Sequence, residues 1–346
     1  MYPSKKIKVL VVDDSVFFRK FLIDNLLKHE NIDVVGYAIN AYDAKNKIPI
    51  LKPDVVTLDV EMPGMNGIDF LKKLMVENPI PVLLVSSLNI SVFDALSAGA
   101  VDFVKKPDMN SKNSVDLFIA EISRKISIAS CSKIKIHTPY KINRDIFKSN
   151  LSLSKSTLDS TVIAIGASTG GTEAILTILK ELPETIPGIV ITQHMPPGFT
   201  KMYAERLNKI CRISVKEAVN GDKILPGQAL IAPGDKQMKV VKMGSTYTVS
   251  CYDGEKVSGH MPSVDVLFNS VAEAVGNNAI GVILTGMGKD GAAGLLNMRK
   301  KGAYTIGQNK ETCVVYGMPM VAYNIGGVCI QAACENIADL IIQKLK

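Results

Sequence analysis

No stretch of these 346 residues approaches the ~18 consecutive apolar residues that a membrane-spanning helix needs. The apolar run near the N-terminus (MYPSKKIKVLVVDDS) is too short for a signal peptide and ends on two aspartates. Neither membrane insertion nor a secretory leader is therefore expected. Cysteine is sparse, with six residues at 131, 211, 251, 313, 329 and 334 and no CxxC pair. That pattern excludes a disulfide framework and the usual zinc spacings, and it fits reduced thiols in a cytoplasmic protein. Aromatics make up only 6% of the chain and nowhere interleave with clustered Lys or Arg, so no nucleic-acid face is visible. The net charge of +7 does not alter this, because residues 1–125 hold 16 basic and 16 acidic side chains, and 156–346 hold 18 and 16. Residues 126–155 hold 6 and 1, so most of the excess sits on one short segment.

What is present is apolar content of 47%, ample for sizeable cores, over a length that favours two domains. In residues 1–125, apolar runs recur at 7–12, 33–38, 54–58, 80–85 and 101–104, separated by helix-patterned segments such as Val16–Lys28 and Ile68–Glu77. Strands alternating with helices predict a doubly wound α/β domain with a parallel sheet, whose functional crevice lies at the C-terminal strand ends. Asp13 and Asp14 follow the first of these strands, Asp59 the third, Ser86 the fourth and Lys106 the fifth. Converging carboxylates repel unless a hard cation sits among them, and oxygen-only ligands suit Mg2+. A lysine and a hydroxyl beside them could hold anionic oxygens, which describes phosphoryl transfer onto a carboxylate. With those residues in that order, residues 5–125 resemble the receiver domain of two-component response regulators, a flavodoxin-like fold. The resemblance implies that Asp59 is phosphorylated. It also implies that Asp13, Asp14, Asp59 and the Glu61 carbonyl hold Mg2+, and that Ser86, Phe103 and Lys106 form the switch. Asn66 stands where that family often carries aspartate.

Residues 126–155 carry six serines, one acid and no sustained periodicity. They read as a linker, its start continuing the preceding helix, with His137 as a solvated residue. The expected division is thus a receiver over 1–125, a linker over 126–155 and a second domain over 156–346.

That second domain is organised around Gly166-Ala167-Ser168-Thr169-Gly170-Gly171. An apolar run (161–165) precedes it and a helix-spaced stretch from Thr172 to Lys180 follows, so Ser168 sits in a glycine-permitted turn between strand and helix. Gly-x-Ser-x-Gly there matches a nucleophile elbow. A serine in such a turn also serves as an N-cap, and a phosphate loop is a further reading, though G-x-G-x-x-G and the GK[ST] ending are absent. His194 follows the strand GIVIT (188–192), and Asp290 follows the strand AIGVIL (279–284) through a glycine-rich loop. Hydroxyl, imidazole and carboxylate would then meet on one sheet edge, where the imidazole takes the serine proton and the carboxylate fixes its tautomer. The N–H groups of Thr169 and Met287 are the candidate oxyanion donors. The order Ser, Asp, His remains a rival, with His260 and Asp222, Asp235 or Asp253. The glycine-rich loops favour His194 and Asp290, and the side chains of Met195, Met287 and Lys289 read as packing or rim groups.

The stretches IGASTGG, ITQHMPPGFT, LIAPGD, GHMPSVDVLF and ILTGMGKDGAAG resemble the catalytic domain of the chemotaxis protein-glutamate methylesterase family over residues 160–346. Gly259 departs from it, since relatives often carry a basic residue there. The resemblance implies a second, Rossmann-like parallel-sheet domain with a Ser168–His194–Asp290 triad. Its implied activity is hydrolysis of glutamyl methyl esters on chemoreceptor signalling helices and deamidation of particular receptor glutamines. It implies phosphodonation by the chemotaxis histidine kinase and no cofactor for ester hydrolysis. Tethering a receiver to a hydrolase leads us to expect that the receiver hinders a bulky substrate until Asp59 is phosphorylated. The rival functions are a non-enzymatic response regulator with a binding output domain and a nucleotide-binding domain. The first calls for a helix-turn-helix with a basic face, and neither is visible. The second would use GASTGG as a phosphate loop, and it predicts stabilisation by a nucleotide and indifference to removal of the Ser168 hydroxyl.

Overall fold

The computed structural model describes residues 5–62, 67–87, 91–134 and 153–346; Asn66, His137 and most of the expected linker lie outside them. The chain divides into two compact units, Met1–Pro139 and Tyr140–Lys346.

The first unit runs β1 (Ile7–Val12), α1 (Val16–Leu26), β2 (Ile32–Ala38), α2 (Ala41–Leu51), β3 (Val55–Asp59), α3 (Gly67–Glu77), β4 (Val82–Ser86), α4 (Ser91–Ser97), β5 (Asp102–Lys105) and α5 (Lys112–Ser130). Its strands pair in the order β2-β1-β3-β4-β5, all parallel. This is the flavodoxin-like order, with its switch point between β1 and β3. β3 and β4 are buried at every residue, as expected of strands covered on both faces. β4 starts two residues later than its apolar run, after Pro81, which has no N–H to give to a ladder. Helix α5 continues to Ser130, so the first five residues of the expected linker are helical. Ile126 is fully buried there and Ser127 Oγ accepts from Asn31 Nδ2 at 3.2 Å.

The second unit runs α6 (Lys155–Ser160), β6 (Val162–Ala167), α7 (Gly171–Leu179), β7 (Gly188–Gln193), α8 (Phe199–Ile210), β8 (Ser214–Glu217), β9 (Gln228–Ile231), β10 (Gln237–Met243) and β11 (Thr246–Tyr252). It then continues through α9 (Val264–Ala274), β12 (Ala279–Ile283), α10 (Ala292–Lys300), β13 (Tyr304–Gln308), α11 (Met318–Asn324), β14 (Ile330–Ala332) and α12 (Ile337–Leu345). Seven strands form one parallel sheet in the order β14-β13-β12-β6-β7-β9-β8. Strand order reverses between β6 and β12, and both end beside the crevice where open α/β sheets bind ligands. On one face Val162 and Ala164 of β6 join Leu267, Phe268 and Val271 of α9 in a single buried cluster. Ile163 and Ile165, which alternate with them, are also fully buried and face the other way. The antiparallel hairpin β10–β11 has no counterpart in the sequence expectation. Among the described residues, no helix is long and apolar enough to cross a membrane.

Candidate active site

Ser168 directly follows β6. Its N–H donates to the Thr285 carbonyl at 3.0 Å, and its own carbonyl accepts from Gly171 N–H at 2.7 Å. The turn depends on Gly170, which adopts φ +77° and on which a Cβ would lie 2.6 Å from Val314 Cγ2. Gly170 is the N-cap of α7, with no side-chain cap bond, so the N-cap reading of Ser168 does not hold. Gly166 answers a different demand, because a Cβ there would lie 2.1 Å from Val264 Cγ1 of α9.

Parallel register does the next part. Ala167 pairs with Gln193 at the ends of β6 and β7, so Ser168 and His194 leave adjacent strands at the same level, about 4.8 Å apart in the sheet. His194 N–H donates to Ala167 O at 3.1 Å. The buried Gln193 carboxamide donates to Ser168 O at 2.9 Å and to His194 O at 3.2 Å. On the other side of β6, Ile283 pairs with Gly166, and the loop after β12 returns Asp290 to the same edge.

Asp290 Oδ2 lies 2.8 Å from His194 Nε2. The carboxylate also accepts from Ser263 Oγ at 2.8 Å, Val264 N–H at 2.8 Å and Asp265 N–H at 3.1 Å. Those donors are the N-cap and first turn of α9, where free N–H groups favour a negative charge. Burial alone would raise the Asp290 pKa, but the His194 contact and the Val264 and Ser263 bonds outweigh it and hold it below the usual 3.8. A carboxylate only accepts, so Nε2 of His194 is the donor, and in the neutral ring the lone pair then lies on Nδ1. Nδ1 is buried and bonds to no described residue.

The His260 ring stacks on His194 with centroids 3.7 Å apart and planes 10° from parallel. Of the carboxylates in the rival assignment, Asp222 pairs with Lys216 at 2.9 Å and Asp253 with Lys236 at 2.9 Å, and Asp235 is exposed. Thr169 is buried at 3% exposure, whereas the Met287 side chain is 49% exposed. The Met287 loop is held close, because a Cβ on Gly286 would lie 2.6 Å from Ser168 Cβ. Met195 is buried and Lys289 is exposed.

In the first unit, Lys106 Nζ lies 2.6 Å from Asp59 Oδ2 and 3.1 Å from Asp13 Oδ2. Burial pushes the Asp59 carboxyl up more than Lys106 and the Glu61 N–H pull it down, leaving its pKa raised. Asp13, Asp14 and Asp59 each offer an oxygen within 4.8 Å of the others, an all-oxygen donor set that fits a hard divalent cation. Glu61 N–H donates to Asp59 Oδ1 at 3.0 Å, which places residue 61 against the same carboxylate. Ser86 is fully buried and its hydroxyl bonds to no described residue. Phe103 is buried edge-on to Phe93, ring centroids 6.5 Å apart.

Known proteins are similar to this chain in sequence and fold. The profile of the CheB methylesterase family matches residues 163–341, and that of the response regulator receiver domain matches residues 9–113. The chain belongs to the CheB methylesterase family. A protein-glutamate methylesterase/protein-glutamine glutaminase 2 of Syntrophomonas wolfei is 53% identical over 325 residues, 94% of this chain and 93% of that protein. A protein-glutamate methylesterase/protein-glutamine glutaminase of Syntrophotalea carbinolica is 49% identical over 349 residues, 99% of this chain and 98% of that protein. The crystal structure of the Thermotoga maritima CheB methylesterase catalytic domain matches with a TM-score of 0.53 and 36% identity, covering 54% of this chain and 98% of that one.

Three participants went unseen in the sequence: Gln193, Ser263 and the stacking role of His260. Ser263 carries a usable signal, a serine just before an apolar helical run, which marks an N-cap. Gln193 has only its place beside His194, and nothing local marks its two carbonyl partners.

Proposed function

We propose that Ser168, His194 and Asp290 hydrolyse γ-glutamyl methyl esters, and that the activity is the methylesterase/glutaminase reaction on chemoreceptors carried out by the CheB family. The observation that carries this reading is the ordered imidazole, with Nε2–H on Asp290 and a buried, unbonded Nδ1 on the edge where Ser168 emerges. Ser168 Oγ attacks the ester carbonyl carbon while its proton passes to His194 Nδ1. Backbone N–H groups of Thr169 and Met287 receive the developing oxyanion, and the glycines beside them let the backbone approach it. Collapse breaks the C–OCH3 bond, and the imidazolium returns the proton so that methanol leaves. Water, deprotonated by His194, then cleaves the acyl-enzyme to the glutamate carboxylate and regenerates Ser168. With a glutamine side chain the leaving group is ammonia and the rest is unchanged. Asp290 stabilises the imidazolium throughout.

Control resides in the receiver. Asp59 accepts the phosphoryl group, with the chemotaxis histidine kinase as donor. A divalent ion such as Mg2+, held by Asp13, Asp14, Asp59 and the Glu61 carbonyl, screens the charge of the incoming phosphoryl oxygens when bound. Lys106 and Ser86 contact those oxygens, and Phe103 is the packing element of the switch. The substrate is a chemoreceptor signalling helix, and the protein works in the cytoplasm.

The nucleophile assignment is tested by labelling with a fluorophosphonate and mapping the adduct by mass spectrometry. A single adduct on Ser168, absent from Ser168→Ala and much slower to form in His194→Gln, is expected. An adduct on another residue, or undiminished labelling of Ser168→Ala, contradicts the assignment.

A further inference from the structure

His260 offers the second ring of a face-to-face pair, and the loop that carries it is built with care. Val257 and His260 exchange both backbone bonds, N–H to carbonyl at 3.0 Å each way. Between them Ser258 and Gly259 adopt φ +53° and +83°, the two left-handed positions of a type I′ turn. Gln237, 1% exposed, donates to Glu255 O at 2.9 Å and His260 O at 3.4 Å and accepts from Ser263 N–H at 2.9 Å. Ser263 in turn donates to Asp290 at 2.8 Å. One short loop therefore braces the face of His194 at one end and its carboxylate partner at the other.

An imidazole held by a single bond at Nε2 can still rock, because the last side-chain torsion of histidine is broad. A flat ring 3.7 Å away, nearly parallel, removes that freedom over the whole face and excludes water from it. We propose that His260 is a positioning residue: its ring, by stacking, holds His194 in the plane that keeps Nε2–H on Asp290 and Nδ1 available to Ser168. The inference rests on the Ser168–His194–Asp290 reading above. It assigns the flat ring, rather than the ring nitrogens, as the working part of His260.

The test is steady-state methanol release from methylated chemoreceptor by the full-length protein with phosphodonor, for wild type and for His260→Phe, His260→Leu, His260→Ala and Ser168→Ala. His260→Phe keeps the flat face and should stay within about twofold of the wild-type kcat, whereas Leu and Ala should lose about tenfold in kcat with little change in KM. Thermal melts accompany the kinetics. If the Ala variant does not fold, the Phe–Leu comparison decides, since both fill the space. Full kcat in His260→Leu overturns the proposal, as does a change confined to KM or a Phe variant as slow as Leu. Release that persists in Ser168→Ala would instead remove the underlying triad reading. A dead Ser168→Ala beside an unimpaired His260→Leu removes the stacking proposal alone.

Discussion

Asp290 is the most heavily bonded side chain of the site, with four donors converging on two oxygens. Its folded-state pKa lies below 3.8. The ionised form therefore stabilises the native state above that value, and the contribution fades as pH falls through the lower folded pKa. Asp290→Asn removes the contribution, so its urea midpoint should fall less steeply than wild type on acidification below about pH 4. The same variant loses the charge opposite the imidazolium, and kcat for methanol release should drop by about 10³–10⁴. Wild-type turnover in Asp290→Asn would contradict its place beside His194. At this scale the sequence was legible where chemistry-bearing residues sit at strand ends. Ser168, His194 and Asp290 could be picked out because each follows an apolar run. Gln193 and the stacking role of His260 could not, because strand register and loop closure create their contacts and neither is encoded locally.

Elements set that edge, and two of them are sensitive to single atoms. A Cβ at Gly166 would collide with Val264 Cγ1 at 2.1 Å and approach Phe268 Cζ at 3.0 Å. Gly166→Ala should therefore cost about 1–3 kcal/mol by overpacking. Adding Val264→Ala should recover part of that loss in urea unfolding, because the two sites are in contact. Helix α9 starts at Ser263, whose hydroxyl accepts from Val266 N–H at 3.4 Å and donates to Asp290 at 2.8 Å. Ser263→Ala should cost about 1 kcal/mol as a lost cap and lower kcat as well, a pairing that stability and turnover measured together will reveal. Strands β6, β7 and β12 were legible because each is an apolar run buried at every residue, whereas β8 (SVKE) and β14 (IQA) are short, partly exposed edge strands with no apolar run to mark them. The β10–β11 hairpin was not, since its lysines and threonines alternate with apolar residues in short runs that carry little weight alone. Helix α5 continues into the start of the linker, as its sequence suggested, because Ile126 extends the buried face.

On the scale of the whole molecule, a receiver and a hydrolase share one chain, and each unit places its chemistry at the C-terminal edge of a parallel sheet. Asp59→Asn removes the proposed phosphoryl acceptor, so phosphodonor should no longer raise its methanol release, while the unstimulated rate remains. Stimulation that survives would place control outside Asp59. The two-domain order was legible from strand-end aspartates in one half and the Gly-x-Ser-x-Gly turn in the other. On this reading one serine does the chemistry and one aspartate controls it. Methanol release from methylated chemoreceptor, comparing wild type with Ser168→Ala, each with and without a small phosphodonor and Mg2+, tests both halves together. Wild-type release should rise with phosphodonor, and Ser168→Ala should release none under either condition. Release that survives in Ser168→Ala, or a folded wild type that releases no methanol from methylated receptor, would contradict it.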